Sequence, residues 1–429
     1  MLSSFRQGST ERKEPMDKTK SYQIPKQTVL EAYKLVKANQ GAAGVDGESL
    51  EMFEANLKDN LYKIWNRMSS GSYFPPAVKA VEIPKKDGGK RLLGVPTVAD
   101  RIAQMVVKMY FEPEVEPYFH EDSYGYRPNK SAIDALETTR KRCWQYDWVL
   151  EYDIKGLFDN IDHGLLMKAV RAHTKNPWVI LYIQRWLKTS FQMPDGTIIE
   201  RTKGTPQGGV ISPVLANLFL HYAFDMWMKR THSKSPFARY ADDAVVHCQN
   251  LKYAENLLES LKKRFEECGL ELHPEKTRIV YCKDDSRRGE YPNTSFDFLG
   301  YTFRARLSKG KYGKFISFIP AVSAKAGKRI RQIIRKWRLH RTPYKTLEEL
   351  SQKINPVIRG WVNYYGRFYK TELNDVLKQI NQALAKWVRR KYKKFRQHKK
   401  RAVYWLGKIA RREPKLFVHW QMGIYPLIG

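Results

Sequence analysis

Residues 237–247 read FARYADDAVVH, an apolar and aromatic run on each side of two adjacent acids. The pattern predicts strand, tight turn, strand, with Asp242 and Asp243 at the bend. Adjacent carboxylates repel each other, and beside buried strands that repulsion calls for a cation or for solvent. A surface turn is the ordinary reading of an Asp pair taken alone, since Asp is a common turn residue. Tyr240 before the pair and Val245 and Val246 after it favour a buried hairpin instead.

Working outward, residues 148–154 (WVLEYDI) read as a second apolar strand with Asp153 near its end, 89 residues before Asp242. If the two strands are neighbours, three carboxylates converge at one edge of a sheet. Such a set suits Mg²⁺, a hard ion that keeps waters and takes phosphate oxygens as further ligands, with Mn²⁺ a possible substitute.

The surrounding chain predicts a mixture of helix and sheet. A helix is expected over Thr28–Ala38 with Thr28 as its cap, a hairpin over Val78–Val95 around a KKDGGK turn, and a helix from Thr97 and Asp100 to Tyr110. Leu181–Thr189 reads as helix, KGTPQGG (203–209) as loop, and SPVLANLFLHYAFDMWM (212–228) as one long buried helix. Tyr253–Cys268 is an amphipathic helix ended by Gly269, and Thr294–Phe303 a strand pair. After about Ser308 the pattern reads as helical and basic. The class expected is α+β, with a helical appendage.

Charge points to the partner. The chain carries 77 Lys+Arg against 44 Asp+Glu, a net +33, and residues 321–429 hold +23 of that (28 basic, 5 acidic). Such a field attracts polyanions and releases their counterions. A basic ribosome-associated or membrane-surface protein is the competing reading from charge alone. Four scattered cysteines with no CxxC pair exclude a disulfide framework or a cysteine-rich zinc module. The absence of an apolar signal core or spanning run leads to the expectation of a soluble, cytoplasmic protein. Residues 1–20, polar with little to bury, read as a disordered leader.

These residues resemble a known family. Tyr240-Ala241-Asp242-Asp243 is similar to the YxDD box of reverse transcriptases, and Asp153 with Phe158 to their first palm motif. The group II intron reverse transcriptase/maturase family is resembled most closely. Its pattern is met by QGAAGVDG (40–47), IPKKDGGKRLLGVPT (83–97), SYGYRPNKSAIDAL (123–136), DIKGLFDNIDH (153–163), GTPQGGVISPVLANL (204–218), RYADD (239–243), LHPEKT (272–277) and FDFLGY (296–301). PVIRGWVNYYGRF (356–368) resembles the maturase domain.

The resemblance implies a right-hand polymerase of fingers, palm and thumb with an antiparallel palm sheet. Fingers and palm would span 21–305, a thumb/maturase domain 306–385, and a basic helical DNA-binding region 386–429. It implies RNA-directed DNA synthesis in which Asp153, Asp242 and Asp243 hold two Mg²⁺ ions that activate the primer 3′-hydroxyl and stabilise pyrophosphate. Phe158 becomes the gate against a ribose 2′-hydroxyl, or else a core ring. Gln207 lies near the incoming deoxynucleoside triphosphate; Lys85 and Arg91 resemble the cations that hold it. Lys276 resembles the lysine that protonates departing pyrophosphate, where the bland alternative is a surface lysine. Asp159, Asp162 and His163 read as caps and loop hydrogen-bonders, with no partners for a zinc set.

In the basic end, Lys328, Arg331, Arg335 and Arg338 recur beside a stripe of Ile330, Ile333, Ile334 and Trp337. A second helix sets Ile380, Leu384, Trp387 and Val388 against the run RRKYKKFRQHKKR (389–401), which includes Arg389, Arg390, Lys393 and Lys394. These cations, with Arg359, are candidates for gripping a structured RNA template or intron and a DNA target or primer. The chain stops soon after LFVHWQMG without the Cys and His array of the endonuclease found in longer relatives, so no DNA cleavage of its own is expected. Three roles fit: an intron maturase and polymerase acting as a bacterial ribonucleoprotein, a stand-alone polymerase in phage defence or sequence diversification, and a catalytically silent RNA-binding splicing factor.

Overall fold

The computed structural model describes residues 21–84, 90–311 and 313–426, and the backbone alone of 90 and 91. In chain order the strands are β1 (Val78–Pro84), β2 (Lys90–Val95), β3 (Trp148–Asp153), β4 (Phe191–Gln192), β5 (Ile198–Ile199), β6 (Phe237–Tyr240), β7 (Asp243–Cys248), β8 (Arg278–Tyr281), β9 (Ser295–Phe298), β10 (Tyr301–Gly310) and β11 (Gly313–Val322). The chain divides into two compact units. One comprises the N-terminal part to Phe119 with Gly156–Phe219, the other His120–Lys155 with Leu220 onward.

The first unit carries the sheet β2-β1-β4-β5. Its hairpin pairs Lys79 with Val95 through Pro84 with Lys90, as the sequence predicts. The first helix runs Lys26–Asn39, with Pro25 rather than Thr28 at the N-cap position and no side-chain cap, and buries Val29, Tyr33 and Val36. Thr97 caps the helix Val98–Val115 by accepting from Asp100 N at 3.1 Å. The helix expected at Leu181–Thr189 begins earlier, as Pro177–Leu187 behind an Asn176 cap.

The second unit holds the antiparallel sheet β6-β7-β3-β8 and the sheet β11-β10-β9. Helix Leu251–Glu267 starts on Asn250, which accepts from Tyr253 N, and buries Ala254, Leu257, Leu261 and Phe265 at helical spacing. Gly269, at φ +72, follows it. The Phe265 ring meets Tyr152 of β3 edge-on at 5.7 Å. A separate cluster joins Val149, Ala238, Val245 and Val280 to Phe296, Phe298, Tyr301 and the helix residues Ala135 and Leu136. Each such ring or branched side chain contributes about 1.5–3 kcal/mol by leaving water, and together they hold the central sheet.

Three expectations need correction. The segment after Ser308 is not helical: β10 runs to Gly310 and β11 to Val322, and helix resumes only at Ala324. Part of this hairpin is exposed, with Leu307, Phe315 and Ile316 in solvent, so it lacks the one-sided apolar alternation by which a strand is read. The stretch from Ser212 is not one regular helix, because His221–Asp225 is π-helical between Ser212–Leu220 and Met226–Thr231. The basic run 389–401 is not continuous helix either. Lys370–Lys391 ends there, a 3₁₀ turn covers Lys393–Phe395, and helix Lys399–Arg412 follows.

The C-terminal helices share a core of Ile330, Ile334, Ile354, Ile358, Ile380, Leu384, Trp387, Leu406 and Trp420. All four cysteines are buried and free. No helix among the described residues is long and apolar enough to cross a membrane.

Candidate active site

The carboxylates meet through strand register. β3 and β7 are antiparallel neighbours, and their last pair is Asp153 opposite Asp243. β6 pairs with β7 by setting Tyr240 opposite Asp243, so Asp242 sits in the two-residue bend between them. Ala241, the other residue of that bend, has φ +58, a left-handed conformation uncommon for any residue but glycine. Period-two alternation alone would leave these acids on unrelated strands; pairing brings three of them to one end of one sheet.

Burial pushes the Asp243 carboxyl up to about 8, reinforced by the nearby charges of Asp242, Asp153 and Glu151 and opposed by Lys276. Lys276 Nζ lies 2.7 Å from Asp153 Oδ2. It stands on the 3₁₀ turn Pro274–Lys276, which is tied to the end of β3 by the His273 N to Asp153 O bond of 2.8 Å. Glu151 is held separately by Arg278 at 2.7 Å. Among the described residues no group of three His, Cys, Asp or Glu side chains is already arranged to hold a metal ion. One Asp153 oxygen is taken by Lys276. The donor set, all carboxylate oxygen, fits a hard divalent cation.

Below the bend lies a group that sequence reading left without a role. Arg239 in β6 is 1% exposed, and its guanidinium donates to both oxygens of the buried Asp225, from Nε at 2.7 Å and Nη2 at 2.6 Å. Nη2 also donates to Ser123 Oγ at 2.8 Å, and Nη1 to the Ala241 carbonyl at 3.1 Å. Gly125 supports the same bend: a Cβ there would stand 2.4 Å from Ala241 N. The available signal was an arginine inside an otherwise apolar strand, since a buried charge requires a partner.

The nucleotide-side candidates lie in the first unit. Phe158 is 7% exposed in the short helix Leu157–Asn160, and its carbonyl accepts from Thr205 N at 2.7 Å. That bond places the TPQGG loop against the Phe158 turn, where a Cβ on Gly204 would stand 2.6 Å from the same carbonyl. The Gln207 carbonyl accepts from Gly94 N at 2.7 Å. Gly208, at φ +116, passes so close to the Gly94 carbonyl that a side chain is excluded. Gln104 Oε1 receives Val210 N at 2.7 Å, and its amide donates to the fully buried Asp100 at 2.9 Å, so the loop has a rigid anchor that sequence reading missed. Arg91 lies on β2 opposite Ile83, and Lys85 falls outside the described residues. Asp162 caps its helix by accepting from Leu165 N, and His163 meets the Gly204 carbonyl at 2.7 Å, both as read.

In the basic region Lys328, Arg335, Arg338, Arg359, Arg390, Lys393 and Lys394 are exposed, and Arg331 and Arg389 half-buried. Arg338 does not continue the helical row: the helix ends at Lys336 and Arg338 has φ +45. Arg389 bonds back to its own stretch of chain, with Nε and Nη2 on the Arg396 carbonyl at 3.2 and 3.0 Å. Trp361 stacks on Trp337 at 5.6 Å, and the Tyr364 hydroxyl donates to the Leu299 carbonyl, so these motif aromatics pack the structure.

An antiparallel sheet with helices on it, its acids gathered beside one tight turn, defines a nucleic-acid polymerase of the palm type. The family model for reverse transcriptase (RNA-dependent DNA polymerase) matches residues 83–303, and that for the group II intron maturase-specific domain matches 327–405. Protein YkfC of Escherichia coli (strain K12) is 30% identical over 336 residues, 69% of this chain and 85% of that protein. Group II intron-encoded protein LtrA of Lactococcus lactis subsp. cremoris is 35% identical over 193 residues, 44% of this chain and 32% of that one. A putative COX1/OXI3 intron 1 protein of Saccharomyces cerevisiae is 26% identical over 271 residues, 62% of this chain and 32% of its own length. The matches to the last two thus span about a third of each. The chain belongs to the reverse transcriptase family and carries the group II intron maturase domain.

Proposed function

We propose that this protein extends a DNA primer on an RNA template with deoxynucleoside triphosphates, and that its basic helical region grips a structured RNA, a group II intron, together with target DNA. The observation that carries the reading is the register pair Asp153 and Asp243 beside Asp242. These three side chains would hold Mg²⁺, which when bound acidifies the primer hydroxyl and screens the charge of the triphosphate. Lys276 bonds Asp153, and the family resemblance would make it the donor of a proton to the departing pyrophosphate. The family resemblance would give Phe158 the sugar, and Gln207 the base, of the nucleotide. Half-burial of Asp242 and Asp243 limits the water around them, which strengthens charge interactions there.

Incorporation on poly(rA)/oligo(dT) with Mg²⁺ tests the enzyme. Activity in the wild type and its loss in Asp242→Asn and Asp243→Asn are the expected results. A wild type inactive in both Mg²⁺ and Mn²⁺ would turn the reading to a silent RNA-binding splicing factor. Sequencing the RNA that copurifies with the protein identifies the partner: a group II intron supports the maturase reading, and its absence favours the stand-alone role.

A further inference from the structure

We infer that Arg239 and Asp225 form a buried positioning pair that sets the Tyr240–Asp243 bend and so tunes its affinity for the divalent cation. The inference deepens the proposed function, resting on the reading that Asp153, Asp242 and Asp243 hold that cation.

The pair is built for geometry. Two parallel bonds of 2.7 and 2.6 Å join a planar guanidinium to a planar carboxylate, a fit that Lys cannot reproduce. Asp225 is fully buried and Arg239 nearly so. Replacing such a pair by apolar side chains is often neutral or stabilising, so stability alone does not account for it. What the charges add is direction. With Nε and Nη2 fixed on Asp225, Nη1 is aimed at the Ala241 carbonyl, one residue before Asp242. Ala241 lies at φ +58, which an alanine adopts only when its surroundings impose it.

Placement of Asp225 depends on a second local irregularity. It is the last residue of the π-helical turn His221–Asp225, and such turns, which hold one residue more than an α turn, recur at functional sites. Ser123 adds a third point of attachment at 2.8 Å, and Tyr124 N donates to the Arg239 carbonyl at 2.8 Å, so the segment at 122–125 is locked to β6 as well. The guanidinium thus joins a π turn, a neighbouring segment and the bend itself, with no atom of its own presented to substrate. Arg239 is a positioning residue.

The test is Mn²⁺ binding to the full-length free protein, followed by electron paramagnetic resonance, alongside the Mg²⁺ dependence of primer extension. Arg239→Lys, which keeps the charge and loses the fork, is expected to weaken Mn²⁺ binding and raise half-saturating Mg²⁺ by about 10- to 100-fold, the cost typical of losing a group that orients a metal ligand. The primer–template KM should stay within a few-fold. Adding Ala241→Gly, which adopts positive φ without strain, is expected to restore part of the affinity; a purely structural role would not be rescued at residue 241. Should Arg239→Lys not fold, Ser123→Ala removes one bond to the guanidinium and keeps the ion pair, and is expected to shift Mn²⁺ binding in the same direction. Unchanged Mn²⁺ affinity in every variant that folds overturns the inference. Asp243→Asn separates the two readings. If it leaves Mn²⁺ binding intact, the metal site itself is wrong; if it weakens binding while the Arg239 and Ser123 variants do not, only the positioning role fails.

Discussion

Lys276 Nζ and Asp153 Oδ2 lie 2.7 Å apart, joining a residue on a short 3₁₀ turn to an acid 123 positions earlier. The ammonium occupies one oxygen of a carboxylate that the proposed cation site would also use. Lys276→Gln is expected to lower the maximal rate of nucleotide addition by about 100-fold or more, the usual contribution of a general acid. Single-turnover extension at saturating Mg²⁺ measures it. A retained rate with a lower half-saturating Mg²⁺ would reduce Lys276 to a competitor for the Asp153 oxygen.

Ionised Asp243 is costly to the fold, since burial and three acidic neighbours all oppose its ionisation. Asp243→Asn is therefore expected to melt higher than wild type in EDTA, by ~1 °C for about 1 kcal/mol of relief in a chain of this length, while losing activity. Calorimetry with and without chelator checks the sign. A lower melting temperature would mean that the carboxylate makes stabilising contacts beyond those described.

Phe158 is both a candidate gate and a buried ring. Phe158→Ala should raise the use of ribonucleotides relative to deoxynucleotides and also cost about 3–5 kcal/mol of stability. Competition between the two triphosphates, read below the variant's melting temperature, separates the effects. An unchanged ratio in folded protein leaves the ring a packing role alone.

His419 is buried, with Nε2 2.8 Å from Asn381 Oδ1, and burial pushes its pKa down to about 3. In the unfolded chain the same ring titrates near 6.5. As pH falls below that value the unfolded state takes up the proton first, so stability declines from about pH 6.5 down to about 3. The loss from this group between pH 7 and pH 5 is about 2 kcal/mol. Urea midpoints at the two values measure it, and His419→Gln should reduce the difference. His247, buried and likewise lowered to about 3, retains its own share in that variant.

Arg390, Lys393 and Lys394 are exposed on the basic region. Replacing all three by Gln is expected to weaken RNA binding and to flatten the log–log salt dependence by roughly 0.7 per lost phosphate contact, about 2 in total. Fluorescence anisotropy between low and moderate salt gives the slope. An unaltered slope would take this stretch out of the RNA interface.

Sequence by itself determined the chemistry that is available: an acid near the end of one apolar strand, two more at a turn between apolar strands, a glycine-bearing TPQGG loop, and an excess of basic charge toward the C-terminus. Those signals are local, because apolar alternation and turn residues act within a few positions of each other. Only tertiary structure decided that Asp153 faces Asp243 across one register, that Lys276 takes an oxygen of Asp153, and that Arg239 reaches Asp225 from a strand to a π turn. It also made strands of β10 and β11, where mixed polarity hid the pattern, and broke the basic run at Lys391. The physical reason is the same in each case: a buried charge or a half-exposed strand is stabilised by partners distant along the chain, and a linear pattern holds no record of which distant segments fold side by side.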